Sequence, residues 1–233
     1  MKYKTLAIIP ARGGSKSVPR KNIKLLNGEP LISYSIKMGL ESKYIDRIIV
    51  STEDNEIAEI AKGYGAEVVE RPIQLSQDDT PSLPVFQQVL RYLEENEDYD
   101  PDIVVILQPT SPLRKVQDID SCIKKLIDEK CDSVITVKKV EYALEWILKI
   151  DDGGLVKNLF NNENKAVRRQ DAEDIYIPNG AVYVAWKKVI TEKDTLKGPD
   201  TRAIVMPQER SIDIDTELDF VIAEKLYKEF KKH

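Results

Sequence analysis

Short uninterrupted apolar runs alternate along this chain with longer stretches in which apolar residues recur every three or four positions. Leu6 to Ile9 is the first run and predicts a buried strand. Pro30 to Leu40 follows as a helix with proline at its start. Arg47 to Val50 predicts a second strand, and Ser51-Thr52-Glu53-Asp54 after it is favourable helix-start chemistry. Ile57, Ile60, Ala61 and Tyr64 share a helical face that Gly63 and Gly65 end. Glu67 to Glu70 predicts a third strand, closed by Arg71-Pro72, and Leu83, Phe86, Leu90 and Leu93 another helix. Asp102 to Leu107 is the strongest strand, with Ile-Val-Val-Ile-Leu and no charge inside it. Ile119, Cys122, Ile123, Leu126 and Ile127 form the next helical face, and Ser133 to Val137 a fifth strand.

Repeated strand–helix units imply a parallel sheet with helices on both faces. In such sheets ligands bind at the carboxyl ends of the strands, which selects the loops 10–22, 51–54, 71–82 and 108–117. After Lys139 the pattern breaks. Residues 140–178 contain Gly153-Gly154, Asn161-Asn162 and many charges without a helical period, and read as an irregular lobe inserted in one domain spanning 1–233. Ala181 to Ala185 returns to strand character and Ala203 to Met206 suggests another strand. Leu218, Val221, Ile222, Leu226 and Phe230 predict the buried face of a closing helix. The lobe carries Tyr142, Leu144, Trp146, Ile147, Leu148 and Ile150 with little core left to cover them, so a two-fold homodimer through the lobe is expected.

Composition narrows the function classes. At 233 residues, 42% hydrophobic and 32% charged, the chain has the make-up of a globular protein, and no run approaches the roughly 20 apolar residues of a membrane span. The start of the chain runs almost directly into a strand, leaving no room for a signal peptide. The net charge of -5 argues against non-specific nucleic-acid binding. The single histidine is the terminal His233, which removes histidine triads, histidine general bases and histidine metal sites. Cys122 and Cys131 make no disulfide or metal framework, and a reducing cytoplasm is expected.

The first strand opens into Pro10-Ala11-Arg12-Gly13-Gly14-Ser15-Lys16-Ser17-Val18-Pro19-Arg20-Lys21-Asn22. Glycines that turn backbone N–H groups inward, surrounded by cations, suit a phosphate; a solvated basic turn fits the same residues. The spacing is neither a Walker loop nor G-x-G-x-x-G. Gln108-Pro109-Thr110-Ser111-Pro112-Leu113-Arg114 is a rigid polar loop or simply a tight turn. Thr80 and Ser82 are good helix caps. Arg168-Arg169-Gln170-Asp171 could be merely solvated. Near the end, Asp213 and Asp215 lie two apart in Ser211-Ile212-Asp213-Ile214-Asp215-Thr216, so an extended chain points both carboxylates one way, towards a shared cation; alternatively Asp215 caps the last helix.

These stretches together resemble the CMP-sialic acid synthetases, the acylneuraminate cytidylyltransferases. Ala-Arg-Gly-Gly-Ser-Lys, Arg71-Pro72 with Asp79-Thr80-Pro81-Ser82, Leu-Gln-Pro-Thr-Ser-Pro-Leu-Arg, Arg-Arg-Gln with Asn-Gly-Ala-x-Tyr, and Ile-Asp-Ile-Asp-Thr-x-x-Asp occur in that family's order. The resemblance implies a three-layer, doubly wound, mostly parallel α/β sheet of the nucleotide-diphospho-sugar transferase type, with a small dimerisation lobe. It implies CTP and a sialic-type nine-carbon 2-keto sugar acid as substrates and pyrophosphate as leaving group. It assigns Arg12, Gly13, Gly14, Ser15, Lys16, Lys21, Asn22, Arg71, Thr80 and Ser82 to the nucleotide. It assigns Gln108, Thr110, Ser111, Arg169, Gln170 and Tyr183 to the sugar, and Asp213 and Asp215 to magnesium. Arg169, Lys21 and the two aspartates are the expected catalytic groups. Many bacterial members have His-Pro early in the lobe and an arginine before Asn-Gly-Ala; here Glu141-Tyr142-Ala143-Leu144-Glu145-Trp146 and Ile177-Pro178 stand there, which bears on the sugar rather than the nucleotide. Another sugar or nucleotide on the same fold, or a non-catalytic nucleotide-binding protein, remain as alternatives.

Overall fold

The structure is a computed structural model, and it describes residues 3–15, 17–160 and 173–231. In chain order the elements are β1 (Thr5–Pro10), the short strands β2 (Leu25–Leu26) and β3 (Glu29–Pro30), α1 (Leu31–Glu41), β4 (Arg47–Thr52), α2 (Asn55–Gly63), β5 (Glu67–Glu70), α3 (Ser82–Glu97), β6 (Ile103–Ile106), α4 (Val116–Glu129) and β7 (Ser133–Lys139). The lobe strands β8 (Leu148–Ile150) and β9 (Val156–Asn158) follow, then β10 (Tyr176–Trp186), α5 (Lys187–Thr191), β11 (Thr201–Val205) and α6 (Glu217–Phe230).

The main sheet has the order β11-β7-β10-β6-β1-β4-β5. Its pairs are parallel except that β10 runs antiparallel to both β6 and β7. Alternate residues of the central strands feed opposite layers. Ala7 and Ile9 of β1, with Ile103 and Val105 of β6, pack towards α1, α2 and α4. Leu6 and Ile8, with Val104 and Ile106, pack towards α3 and α5. Covered on both sides, these strands are apolar from Leu6 to Ile9 and from Ile103 to Ile106, which is why they read so plainly as runs. From β1 the chain moves outward to β4 and β5, then returns through α3 to β6 on the other side of β1. The order therefore reverses between β1 and β6, and a crevice opens there at the strands' carboxyl ends.

Three features depart from the periodicity. The closing helix packs through Phe220 and Ala223, with Leu226 and Tyr227 alongside, against Leu26, Leu31, Tyr34, Leu113 and Ile214. Leu218, Val221 and Ile222, expected in the core, are exposed at 67%, 61% and 38%. Thr216 caps this helix and Asp219 reciprocates, so the cap sets the helix's phase. Second, β10 is longer than its apolar run: it starts at Tyr176, inside the expected lobe, and shifts register between Pro178 and Tyr183. Asn179-Gly180 thus forms a bulge within the strand. Third, the lobe contains a small hairpin of β8 and β9 whose residues are all exposed.

Candidate active site

A cleft of about 560 Å³ lies over the β1/β6 crevice. Among the expected nucleotide residues, Arg12, Ser15, Lys21, Asn22, Arg71, Thr80 and Ser82 line it; of the expected sugar and metal residues, Gln108, Thr110 and Asp215 do.

The glycine loop is held onto the end of β4. Ala11 N–H donates to the Ser51 carbonyl at 3.0 Å, and Gly13 N–H donates to Glu53 Oε1 at 2.7 Å. A Cβ on Gly13 would come within 2.5 Å of Asp54 Oδ2, so this close approach requires glycine. Asp54 caps α2 by accepting from Ile57 N–H at 3.0 Å and also accepts from Arg20, which lies 2.5 Å from Glu56 Oε2. The Arg20 guanidinium holds the Asp54 carboxyl below its ordinary range. Buried Asn22 donates from Nδ2 to the Arg12 carbonyl at 2.8 Å and braces the loop from below. Gly14 is exposed with open space around it.

The opposite wall is the 71–82 segment. Arg71 is buried, with Nε donating to Ser51 Oγ at 3.2 Å and Nη2 to the Ser51 carbonyl at 2.8 Å. Burial pushes its guanidinium down to about 10, and the charge of Glu53 counters that shift. Arg12 reaches across, donating to the Gln77 carbonyl at 3.1 Å and lying 2.8 Å from Asp78 Oδ1. Neither Thr80 nor Ser82 caps α3: the N-cap position is Pro81 and no side chain bonds there. Both hydroxyl residues line the cleft instead.

The third wall follows β6. Arg114 is buried and donates to Ser35 Oγ at 3.0 Å and to the Gln108 carbonyl, fixing the loop from inside. Burial lowers it to about 9, opposed by Asp118 and Asp213. Gly180, at φ 75, faces this loop, and a Cβ there would lie 3.2 Å from both Gln108 Oε1 and Asp213 Oδ2. Asn179 locks the bulge: it accepts from Thr136 Oγ1 at 2.6 Å and from Ala181 N–H at 3.2 Å, and donates to Ser211 Oγ at 2.9 Å.

Asp213 is half-buried and Asp215 exposed. Burial raises the Asp213 carboxyl first, and the negative charge of Asp215 raises it further. Asp215 does not cap α6; Thr216 does, which leaves the Asp215 carboxylate to Lys21 at 3.3 Å. Among the described residues no group of three or more acidic, histidine or cysteine side chains gathers into a metal cage. A carboxylate pair that repels unless a cation intervenes is nevertheless a fitting donor set for magnesium, which commonly takes one or two carboxylates and completes its shell with phosphate oxygens and water.

Some expected residues lie elsewhere. Ser111 is fully buried and donates to the Asn179 carbonyl at 3.4 Å, so it supports the bulge and does not line the cleft. Tyr183 packs against the α3/α5 core from β10 because the strand's alternation turns it there, away from the cleft lining. Lys16, Arg169 and Gln170 lie outside the described residues. The sequence reading missed Glu53, Ser76 and Asp78. Their signal is position alone, in the loops at the carboxyl edge, since no residue type or spacing there marks them out.

Comparison with known proteins agrees with this geometry. Residues 6–229 match the family model described as Cytidylyltransferase. The chain is 35% identical over 227 residues to a pseudaminic acid cytidylyltransferase of Campylobacter jejuni, covering 97% of each. It is 36% identical to a CMP-N,N'-diacetyllegionaminic acid synthase of Legionella pneumophila, covering 95% of each. It is 34% identical to an N-acylneuraminate cytidylyltransferase of Streptococcus agalactiae, covering 94% of this chain and 52% of that protein. In fold it is similar to a CMP:2-keto-3-deoxy-manno-octonic acid synthetase solved with CTP, at a TM-score of 0.73 and 13% identity over 97% of this chain and 99% of that one. With the glycine loop, the Gln108 loop and Asp215 converging on one crevice, and a family match over nearly the whole length, the chain belongs to the cytidylyltransferase family.

Proposed function

We propose that the protein transfers the CMP part of CTP to the anomeric hydroxyl of a sialic-type nine-carbon 2-keto sugar acid. The hydroxyl oxygen forms a bond to the α-phosphorus as the bond from that phosphorus to the α–β bridging oxygen breaks. Pyrophosphate leaves with the bridging oxygen, and the hydroxyl proton passes to solvent. The observation that carries this reading is the placement of Arg12 and Lys21 on the strand-order reversal, with Gln108 and Thr110 opposite and Asp215 at the rim of the same cleft.

Arg12, Ser15, Lys21, Asn22, Arg71, Thr80 and Ser82 take the nucleotide in this reading, and Lys16 is assigned to it as well. Gln108, Thr110, Arg169 and Gln170 take the sugar acid, since the planar arginine fork suits a carboxylate. Positioning and charge neutralisation supply most of the rate. Asp213 and Asp215 would hold magnesium, which supplies neutralisation of phosphate charge. The protein acts as a homodimer through the lobe, whose Trp146, Leu148, Ile150, Leu155 and Val156 are 48–71% exposed. No described helix is long and apolar enough to cross a membrane, and the buried free thiols of Cys122 and Cys131 suit a reducing cytoplasm.

Relatives named for pseudaminic and legionaminic acids support a choice among several sugar acids over N-acetylneuraminate alone. The test is pyrophosphate release from CTP with N-acetylneuraminate, legionaminate and pseudaminate in parallel, with GTP, UTP and ATP as controls. Release with one acid and CTP is expected; no release with any acid overturns the reading.

A further inference from the structure

A carboxylate stands where a phosphate loop would be expected to exclude one. Glu53, just past the end of β4, accepts Gly13 N–H at 2.7 Å through Oε1 and the Ser76 hydroxyl at 3.0 Å through Oε2. Gly13 belongs to the glycine loop; Ser76 belongs to the 71–82 wall across the cleft. The more exposed Arg12 contacts to Gln77 and Asp78 also join the two segments. Glu53 itself is half-buried, and Arg71, anchored on Ser51 two residues earlier, feels its charge. Each oxygen thus has a protein donor and the negative charge has a nearby cation.

The arrangement also corrects the expectation that Gly13 offers its N–H to the nucleotide: that donor is already engaged. Asp54 abuts the Gly13 Cα from the next position, so the loop cannot slide inward past this contact without displacing a side chain. A loop whose remaining donors must meet phosphate oxygens within hydrogen-bond range gains from being fixed before the ligand arrives.

We infer that Glu53 is a positioning residue for CTP: by bridging Gly13 and Ser76 it ties the phosphate loop to the opposite wall and sets the spacing into which the nucleotide fits. This rests on the assignment of the cleft to CTP but not on the identity of the sugar. Glu53 touches no reacting atom in this scheme. Its carboxylate is not a competitor for the phosphates but the strut that presents the other donors to them.

The test is calorimetric titration of the full chain with CTP, without any sugar acid. Charge-assisted hydrogen bonds to backbone donors are the strong class, so Glu53→Ala is expected to weaken CTP about tenfold or more. Glu53→Gln keeps an oxygen for Gly13 N–H and is expected to recover most of the affinity. Ser76→Ala removes one end of the strut and is expected to fall between them. In the nucleotide-free protein, amide hydrogen exchange of residues 11–15 is expected to quicken in Glu53→Ala while β1 and β6 stay protected. Wild-type CTP affinity in both Glu53→Ala and Ser76→Ala overturns the inference. So does tighter binding in Glu53→Ala, the result expected of a carboxylate competing with phosphate. If Glu53→Ala does not fold, Ser76→Ala and Glu53→Gln decide. Wild-type protein that takes no CTP at all overturns the underlying assignment, and unchanged exchange at 11–15 would then overturn the strut separately.

Discussion

Lys21 and Asp215, 194 residues apart in the chain, meet at 3.3 Å at the edge of the cleft. The same Lys21 Nζ donates to the Ile214 carbonyl at 2.6 Å, and its side chain is only 12% exposed. One lysine therefore ties the end of the glycine-rich loop to the segment carrying both terminal aspartates. It brings the proposed phosphate side and the proposed metal side of the site into register.

Lys21→Ala should weaken CTP by about tenfold to hundredfold, the scale of a charge-assisted contact. Lys21→Met keeps the stem and should lose nearly as much. Separate Michaelis constants for CTP and the sugar acid check this. A change confined to the sugar acid would place the two ligands the wrong way round.

Asp213→Asn and Asp215→Asn should each reduce turnover to near background while the far-ultraviolet dichroism stays that of the parent. Both remove charge at constant volume from the proposed magnesium site. Near-parental rates with an unchanged magnesium dependence would sink the metal assignment.

The Asp213 carboxyl also makes a stability prediction. Its folded value is raised, by burial first and by Asp215 second. The stabilising contribution is therefore complete below the unfolded value of about 3.9 and is lost as pH rises through the folded value. Ionised Asp213 thus destabilises the metal-free protein at neutral pH. Asp213→Asn should raise the melting temperature in chelator at pH 7 and have less effect near pH 4. Magnesium should stabilise the parent but not the variant. Melting curves at the two pH values, with and without the ion, measure all of this.

Gly180→Ala should cost about 1–2 kcal/mol for the left-handed backbone alone, or roughly 2–8 °C of melting temperature. The new methyl would also stand 3.2 Å from Asp213 Oδ2 and Gln108 Oε1. Turnover should consequently fall further than stability does. Parental activity in a variant with a lowered melting temperature would show that the bulge serves folding only.

Trp146→Glu should shift the protein towards monomer and lower activity with it, as read by sedimentation alongside the pyrophosphate assay. A fully active monomer at micromolar concentration would remove the dimer proposal.

The alternation of runs and helical stripes determined the layers. A strand covered on both faces, such as Leu6 to Ile9 or Ile103 to Ile106, must be apolar throughout, and a helix on such a sheet must repeat its contacts every turn, so both periods are written locally. The loops at the carboxyl edge were legible for the same reason: glycine, proline and cations in a short span are local chemistry. What tertiary structure alone decided are relations between distant segments. The buried face of α6 depended on which neighbours its cap let it meet, and the pattern of Leu218, Val221 and Ile222 could not say that they face outward. The strand-order reversal at β1 and β6 is set by where chain returns, not by any residue in either strand. Tyr183 turned to the core by the alternation of β10, and Ser111 to the Asn179 carbonyl, because strand pairings set by distant segments placed them there. The pairings Glu53 with Gly13 and Lys21 with Asp215 close loops of 40 and 194 residues. A hydrogen bond leaves no period in a sequence, so only the fold that brings its two ends together can reveal it.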